Sequence, residues 1–284
     1  MNKDFHYYAT CYLCRHAGYS HHESYIISYA NQLTDDNSKK YRIYFNKSRF
    51  YQNSISYTKK IYKLSHELYV MMPFHFIPGN MNYKPAQRKD GKKSPVNVTP
   101  GSNNARRLFL KVLKTKNLYN IGIVLHAYQD TWAHQNFTGI WDDWNGVKGK
   151  IHIPDIGHAE MGDTPDMFNK CWKDRRLISL YENIDNSKRF MECARNFFSI
   201  LCKENNVNFS DSWKNAKRGI ESAIKGTGPE NEKQRCNAFI NIYKDDFGVK
   251  MPQYSERRWL LQAAEKKGFK YFAKSSFYTS KWYY

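Results

Sequence analysis

One segment gathers the residue types that could do chemistry: Ile121-Gly-Ile-Val-Leu-His126-Ala-Tyr-Gln-Asp130-Thr-Trp-Ala-His134-Gln-Asn-Phe137. On a helix of 3.6 residues per turn, each four-residue step from His126 to Asp130 to His134 rotates the side chain by only about 40°. The three groups therefore share one face, and Ile121, Leu125, Tyr128 and Trp132 cover the others, so the helix is expected to be buried nearly all round. Buried imidazoles and a buried carboxylate need compensation. They find it either in a hydrogen-bonded polar core or in metal coordination. His126 and His134 start about 12 Å apart along the axis, which is too far for one ion to take both. Two ions bridged by Asp130 fit better, and two-metal phosphoester hydrolases hold their ions roughly 3.5–4 Å apart.

Further ligands of the same types lie on either side. His6 stands near the N-terminus, Asp35 and Asp36 follow a helical stretch, and His75 lies in Pro73-Phe-His-Phe76. His158 is followed by Glu160, Asp163 and Asp166, of which Asp166 is the favoured partner. The remaining histidines carry less. His21 and His22 read as helix surface, His66 as surface or core, and His16 and His152 have no evident partner. Cys11 and Cys14 have CxxC spacing with no second pair to complete a zinc knuckle, so they read as structural thiols.

The elements that must position these groups are helical. His6 to Cys14 reads as a first helix. A second runs from Ser20 to Gln32, with Ser20 and Glu23 at capping-box spacing, and ends at Asp35-Asp36-Asn37. Residues 41–70 are compatible with strand or helix. Residues 78–104 form a long loop with four prolines, three glycines and the basic run Arg88-Lys-Asp-Gly-Lys-Lys93. The central helix spans Ala105 to Phe137 with a break near Lys116-Asn117, and residues 138–185 look irregular. Four helices are predicted at about 187–203, 210–225, 229–245 and 255–273, before an aromatic and basic tail, Phe277 to Tyr284. The expected architecture is all-α: a multi-helix, metal-centred bundle over residues 1–185, with the long basic loop. A C-terminal helical subdomain over 186–284 packs on it or merges with it into one domain.

The composition narrows the partners. The 284 residues carry 45 Lys and Arg against 26 Asp and Glu, a net charge of +19, which attracts anions such as nucleic acid, nucleotides or anionic lipid heads. Lys92 and Lys93 in the loop and Arg106 and Arg107 on the helix after it are the candidate phosphate-binding groups. The N-terminus shows no apolar leader and no window reaches the roughly 18 apolar residues of a membrane span, so a cytoplasmic protein is expected.

The order His6, Asp36, His75, His126-xxx-Asp130, His134, His158 and a following acid resembles the zinc-dependent phospholipase C / P1-type nuclease superfamily. The motifs Asp4-Phe-His-Tyr-Tyr8, Gln32-Leu-Thr-Asp-Asp36, Pro73-Phe-His-Phe76, Leu125-His-xxx-Asp-Thr-Trp-Ala-His134 and Gly157-His158 with Pro165-Asp166 look closer still to an uncharacterised bacterial family. The resemblance covers roughly residues 4–170. It implies an all-helical fold and a cluster of two or three zinc ions, with manganese or another divalent ion as an alternative. One ion would take His126, Asp130 and His75, a second His6 and Asp36, and a third His134, His158 and Asp166. Asp36 or Asp35 would orient the attacking water beside Asp130. The superfamily also ligates metal through its N-terminal amine, a place that Met1 or Asp4 could fill. The chain departs from the pattern at Gly162, where relatives carry the final acid. The implied activity is phosphoester hydrolysis, on nucleic acid or nucleotides in preference to phospholipid head groups. A catalytically silent, metal-stabilised binding protein is the reading from another class.

Overall fold

The computed structural model describes residues 1–44, 50–58, 64–147, 155–259 and 261. The chain is mostly helical, and a helical bundle describes it. A π-helical turn, Asp4–Ala9, runs directly into α1 (Thr10–His16), and α2 (His21–Asp36) follows. Serine and glutamate start α2 as their spacing predicts. The Ser20 hydroxyl accepts from the Glu23 N–H at 3.2 Å, and the Glu23 carboxylate accepts from the Ser20 N–H at 2.8 Å. Residues 41–70 hold both structures the sequence allows. An antiparallel hairpin of β1 (Arg42–Tyr44) and β2 (Phe50–Gln52) pairs Arg42 with Gln52. Then come α3 (Leu64–His66), a second π-helical turn (Glu67–Met71) and α4 (Met72–His75).

The long helix divides where expected. Between α5 (Asn103–Leu113) and α6 (Leu118–Ala133), Lys116 adopts φ +54°. The Asn117 side chain then accepts from the Asn120 N–H at 3.1 Å to restart the helix. The helix stops at Ala133, however, not at Phe137, and His134 caps it. Residues 171–185 contain a second hairpin, β3 (Cys171–Lys173) with β4 (Asn183–Asp185), so among the described residues two short antiparallel pairs accompany the helices. The last described helices are α7 (Asn186–Glu204), α8 (Phe209–Ile224) and α9 (Glu232–Phe247). Most of the predicted helix over 255–273, the tail Phe277 to Tyr284 and His152 lie outside the described residues.

A single apolar cluster draws Phe5, Tyr12, Ile27, Leu125 and Trp132 together with Phe190, Phe197, Phe239 and Tyr243, so it runs through both stretches of the chain. Buried Arg235 on α9 pairs with Asp4 at 2.5 Å and donates to the Gly228 and Pro229 carbonyls. The pair pins α9 to the π-helical turn that carries His6, and it takes Asp4 away from the metal-ligand role open to it in the sequence. Helices α2 and α6 approach closely at Gly122 of α6. A Cβ there would collide with the Ile27 carbonyl oxygen and the Ala30 side chain on α2. Gly122→Ala is therefore expected to lower stability by about 1–3 kcal/mol through overpacking. A urea midpoint unchanged from wild type would show that α2 and α6 are not in this contact.

Candidate metal centre

Asp130, fully buried on α6, is the hub. Its Oδ1 faces the Met1 amine at 2.8 Å and His6 Nε2 at 3.1 Å. Its Oδ2 faces His126 Nε2 at 3.1 Å, His75 Nδ1 at 3.2 Å and His134 Nδ1 at 3.6 Å. Asp35 closes one side, 3.6 Å from His75 Nδ1 and 3.5 Å from His126 Nε2. A second group stands beside the first. His134 Nε2 and His158 Nε2 lie 3.1 and 3.2 Å from the two oxygens of Asp166. The Met1 amine spans the groups, 2.9 Å from Asp166 Oδ1.

The far nitrogens of the histidines explain what the near ones can do. His75 Nε2 faces the Ser56 carbonyl at 2.9 Å, His134 Nδ1 the His75 carbonyl at 2.9 Å, and His158 Nδ1 the Gly162 carbonyl at 2.8 Å. A carbonyl only accepts, so each of those nitrogens carries the proton. His6 is set by a longer chain. The Thr10 hydroxyl donates to the Phe5 carbonyl and so accepts from Gln129 Nε2, at 2.9 Å. That turns Gln129 Oε1 toward His6 Nδ1 and Asn31 Nδ2, each 2.9 Å away. In neutral His6, His75, His134 and His158 the nitrogen left bare therefore points at a carboxylate. A lone pair facing an anion is repulsive unless a positive charge, a second ring proton or a metal ion, lies between them, and ligands of metal ions are held by outer hydrogen bonds of this kind.

The spacing agrees. Four ligands about 2.0–2.1 Å from one ion in a tetrahedron stand about 3.4 Å apart. Among Asp35, His75, His126 and Asp130, the His126–His75 nitrogen distance is 3.1 Å, and the four nitrogen–oxygen distances given above run from 3.1 to 3.6 Å. This buried His/Asp group could hold a metal ion, as could His134, His158 and Asp166.

The electrostatics are those of a site arranged around cations. Burial opposes charge on Asp130, but His134, the Met1 amine and His126 hold its carboxyl far below the usual range. Asp166 is depressed in the same way by the amine, His158 and His134. Burial, reinforced by His6, pushes His126 down to about 4, which keeps it neutral and available as a ligand. The Met1 amine is desolvated too, yet Asp130, Asp166 and Asp35 together push it up to about 11.

Of the residues singled out in the sequence, His6, His75, His126, Asp130, His134, His158 and Asp166 all converge here. Asp36 does not join the ligand groups. Its carboxylate accepts from the Tyr254 hydroxyl at 2.6 Å and from Gln32 at 3.2 Å, and Asp35 takes the inner position. Lys92, Lys93, Arg106 and Arg107 lie elsewhere than the walls of the cleft. Lys92 pairs with Asp143 at 3.3 Å, Lys93 donates to Asn82 at 2.8 Å, and both arginines sit on the exposed side of α5. The site opens into a cleft of about 690 Å³ whose walls include Lys3, Lys39, Tyr57 and Phe76. Burial and the carboxylates Asp35, Asp166 and Asp163 push the Tyr57 phenol upward.

Fold and site together define a mostly helical protein with a buried His/Asp group able to hold metal. The chain belongs to a family of unknown function (DUF6765), whose profile matches residues 1–284. No curated protein and no solved structure matches it. No described helix is long and apolar enough to cross a membrane.

Proposed function

We propose that the chain is a metal-dependent phosphoester hydrolase with two or three divalent ions at the Asp130 centre, acting on nucleic acid or nucleotides. One observation carries the reading: four histidines whose outer nitrogens are bound to oxygen acceptors aim their inner nitrogens at two carboxylates, fully buried Asp130 and half-buried Asp166. Imidazole-rich donor sets of this kind favour zinc over magnesium or calcium. Ions held there would supply Lewis acidity to water and to phosphoryl oxygens.

The chain's own residues do the rest. Asp130 joins both halves of the site because each of its oxygens faces a different set of nitrogens. Asp35, 31% exposed on its side chain, is the carboxylate nearest the open cleft that also belongs to the inner group, and it is placed to accept a proton from an attacking water. Lys3 and Lys39 in the walls bring positive charge to an anionic substrate.

Elemental analysis of the purified protein is the test. Two or three zinc or manganese ions per chain, with hydrolysis of a phosphodiester that stops on chelation and returns on adding metal, is the expected result. Bound metal without turnover on DNA, RNA, nucleotides or phospholipids would favour a metal-stabilised binding protein. A folded chain that takes up no metal on reconstitution would leave a polar core and remove the proposal.

A further inference from the structure

Tyr57 lies in the segment between β2 and α3, away from every motif in the sequence, yet it lines the cleft over the metal centre. Its ring meets the His75 ring edge-on, with centroids 5.7 Å apart and planes at 81°. It also packs against the small apolar cluster of Met71, Phe76, Val98, Phe137 and Met161. The ring is thus held on two sides, which leaves the hydroxyl little freedom. Asp35 of the inner group and Asp163 and Asp166 of the outer side line the same cleft, so Tyr57 shares its walls with carboxylates of both groups. No described residue hydrogen-bonds it.

A half-buried hydroxyl in a cleft that carboxylates also line would ordinarily be drawn to donate to one of them. Once cations neutralise those carboxylates, the O–H is free to donate to an anion entering the cleft. We propose that Tyr57 is a catalytic residue that donates a hydrogen bond to a non-bridging oxygen of the phosphoryl group. This assignment rests on the proposed phosphoester chemistry. The phenol keeps its proton throughout, and no bond to it is made or broken. The donor acts because its position is fixed before the substrate arrives, and fixed dipoles are worth most where negative charge is concentrated on oxygen in a site that excludes water.

The experiment compares the metal-reconstituted wild type with Tyr57→Phe, which keeps the ring on His75 and removes only the oxygen. Metal content, inorganic phosphate binding by calorimetry, and kcat and KM on a chromogenic phosphodiester are read in parallel. Hydrogen bonds to charged groups contribute enough to change binding by about tenfold or more. The variant is expected to hold the same number of metal ions and to bind phosphate about tenfold more weakly. Its kcat/KM should fall at least as far, and the shape of its pH profile should stay unchanged. A variant that loses metal assigns Tyr57 to holding His75 and overturns the proposal. A variant equal to wild type in phosphate binding and turnover also overturns it, with the hydrolase reading intact. A metal-loaded wild type that neither binds phosphate nor hydrolyses phosphodiesters overturns the hydrolase reading, and the role of Tyr57 with it.

Discussion

Asp130→Ala is expected to empty the centre and abolish phosphodiester hydrolysis. The residue is fully buried, and both of its oxygens face nitrogens from four separate parts of the chain: the Met1 amine, His6, His75, and His126 with His134 on and at the end of its own helix. Removing an outer hydrogen-bond partner of a metal ligand costs 10–100-fold in affinity or activity, so removing a carboxylate shared between positions is expected to cost on the order of 10³ or more. The metal-free variant also leaves a buried ammonium with only part of its counter-charge, and breaking a buried pair costs about 3–5 kcal/mol. Lost activity alone could therefore mean lost fold. Asp130→Asn separates the causes, because it keeps the shape and the acceptor oxygen while losing the charge. Its circular dichroism should match wild type while its metal content falls below one ion per chain. Full metal content and full turnover in both variants would show that the carboxylate is only a partner in a polar core.

The central helix was legible because its chemistry and its burial share one pattern. His126 and Asp130 repeat at i, i+4, and the apolar residues between them fix which way the helix faces. The Asn117 restart and the Ser20–Glu23 cap were legible for the same reason: local hydrogen bonds need only local sequence. What escaped depends on distant parts of the chain. His134 meets the centre from the helix cap, its Nδ1 turned to the His75 carbonyl, so the helical-face spacing describes it only in part. Asp166, the acid favoured in the sequence, stands in for position 162, but its route was hidden: the chain takes two short turns after His158, Ala159–Met161 and Thr164–Asp166. Between them Gly162 adopts φ +55°, a conformation that a side chain would strain. Gln129 lies inside the motif, but its role as the outer partner of His6 is set by Thr10 and Asn31 in other parts of the chain. Tyr57 left no signal at all, since nothing in the sequence places its segment over the cleft. The surface lysines and arginines mislead for a general reason. Net charge sets how strongly anions are attracted, but it does not say which cations line the site.

The adjacent carboxylates provide the sharpest separation between sequence and structure. Asp35→Asn is expected to lower kcat/KM by at least about 10² and to reduce metal content, as loss of a group in direct contact with the centre should exceed the effect of losing an outer partner. Asp36→Asn is expected to stay within about threefold of wild type, because an amide oxygen can still accept from the Tyr254 hydroxyl and a neutral hydrogen bond contributes only about 1 kcal/mol. The two variants remove the same charge one residue apart at the end of the same helix, so net charge and helix propensity cannot account for a difference. Direction can. Asp35 lies 3.5–3.6 Å from His126 and His75, whereas Asp36 is turned 2.6 Å from Tyr254, a partner 218 residues away that no local pattern in α2 could announce. If Asp36→Asn proved the damaging change, the carboxylate order implied by the sequence resemblance would stand, and the end of α2 would have to rotate in the metal-loaded protein. If both variants kept their metal and their turnover, neither acid would belong to the centre, and the proton-accepting role would pass to Asp166, the remaining carboxylate that both borders a metal group and faces the cleft.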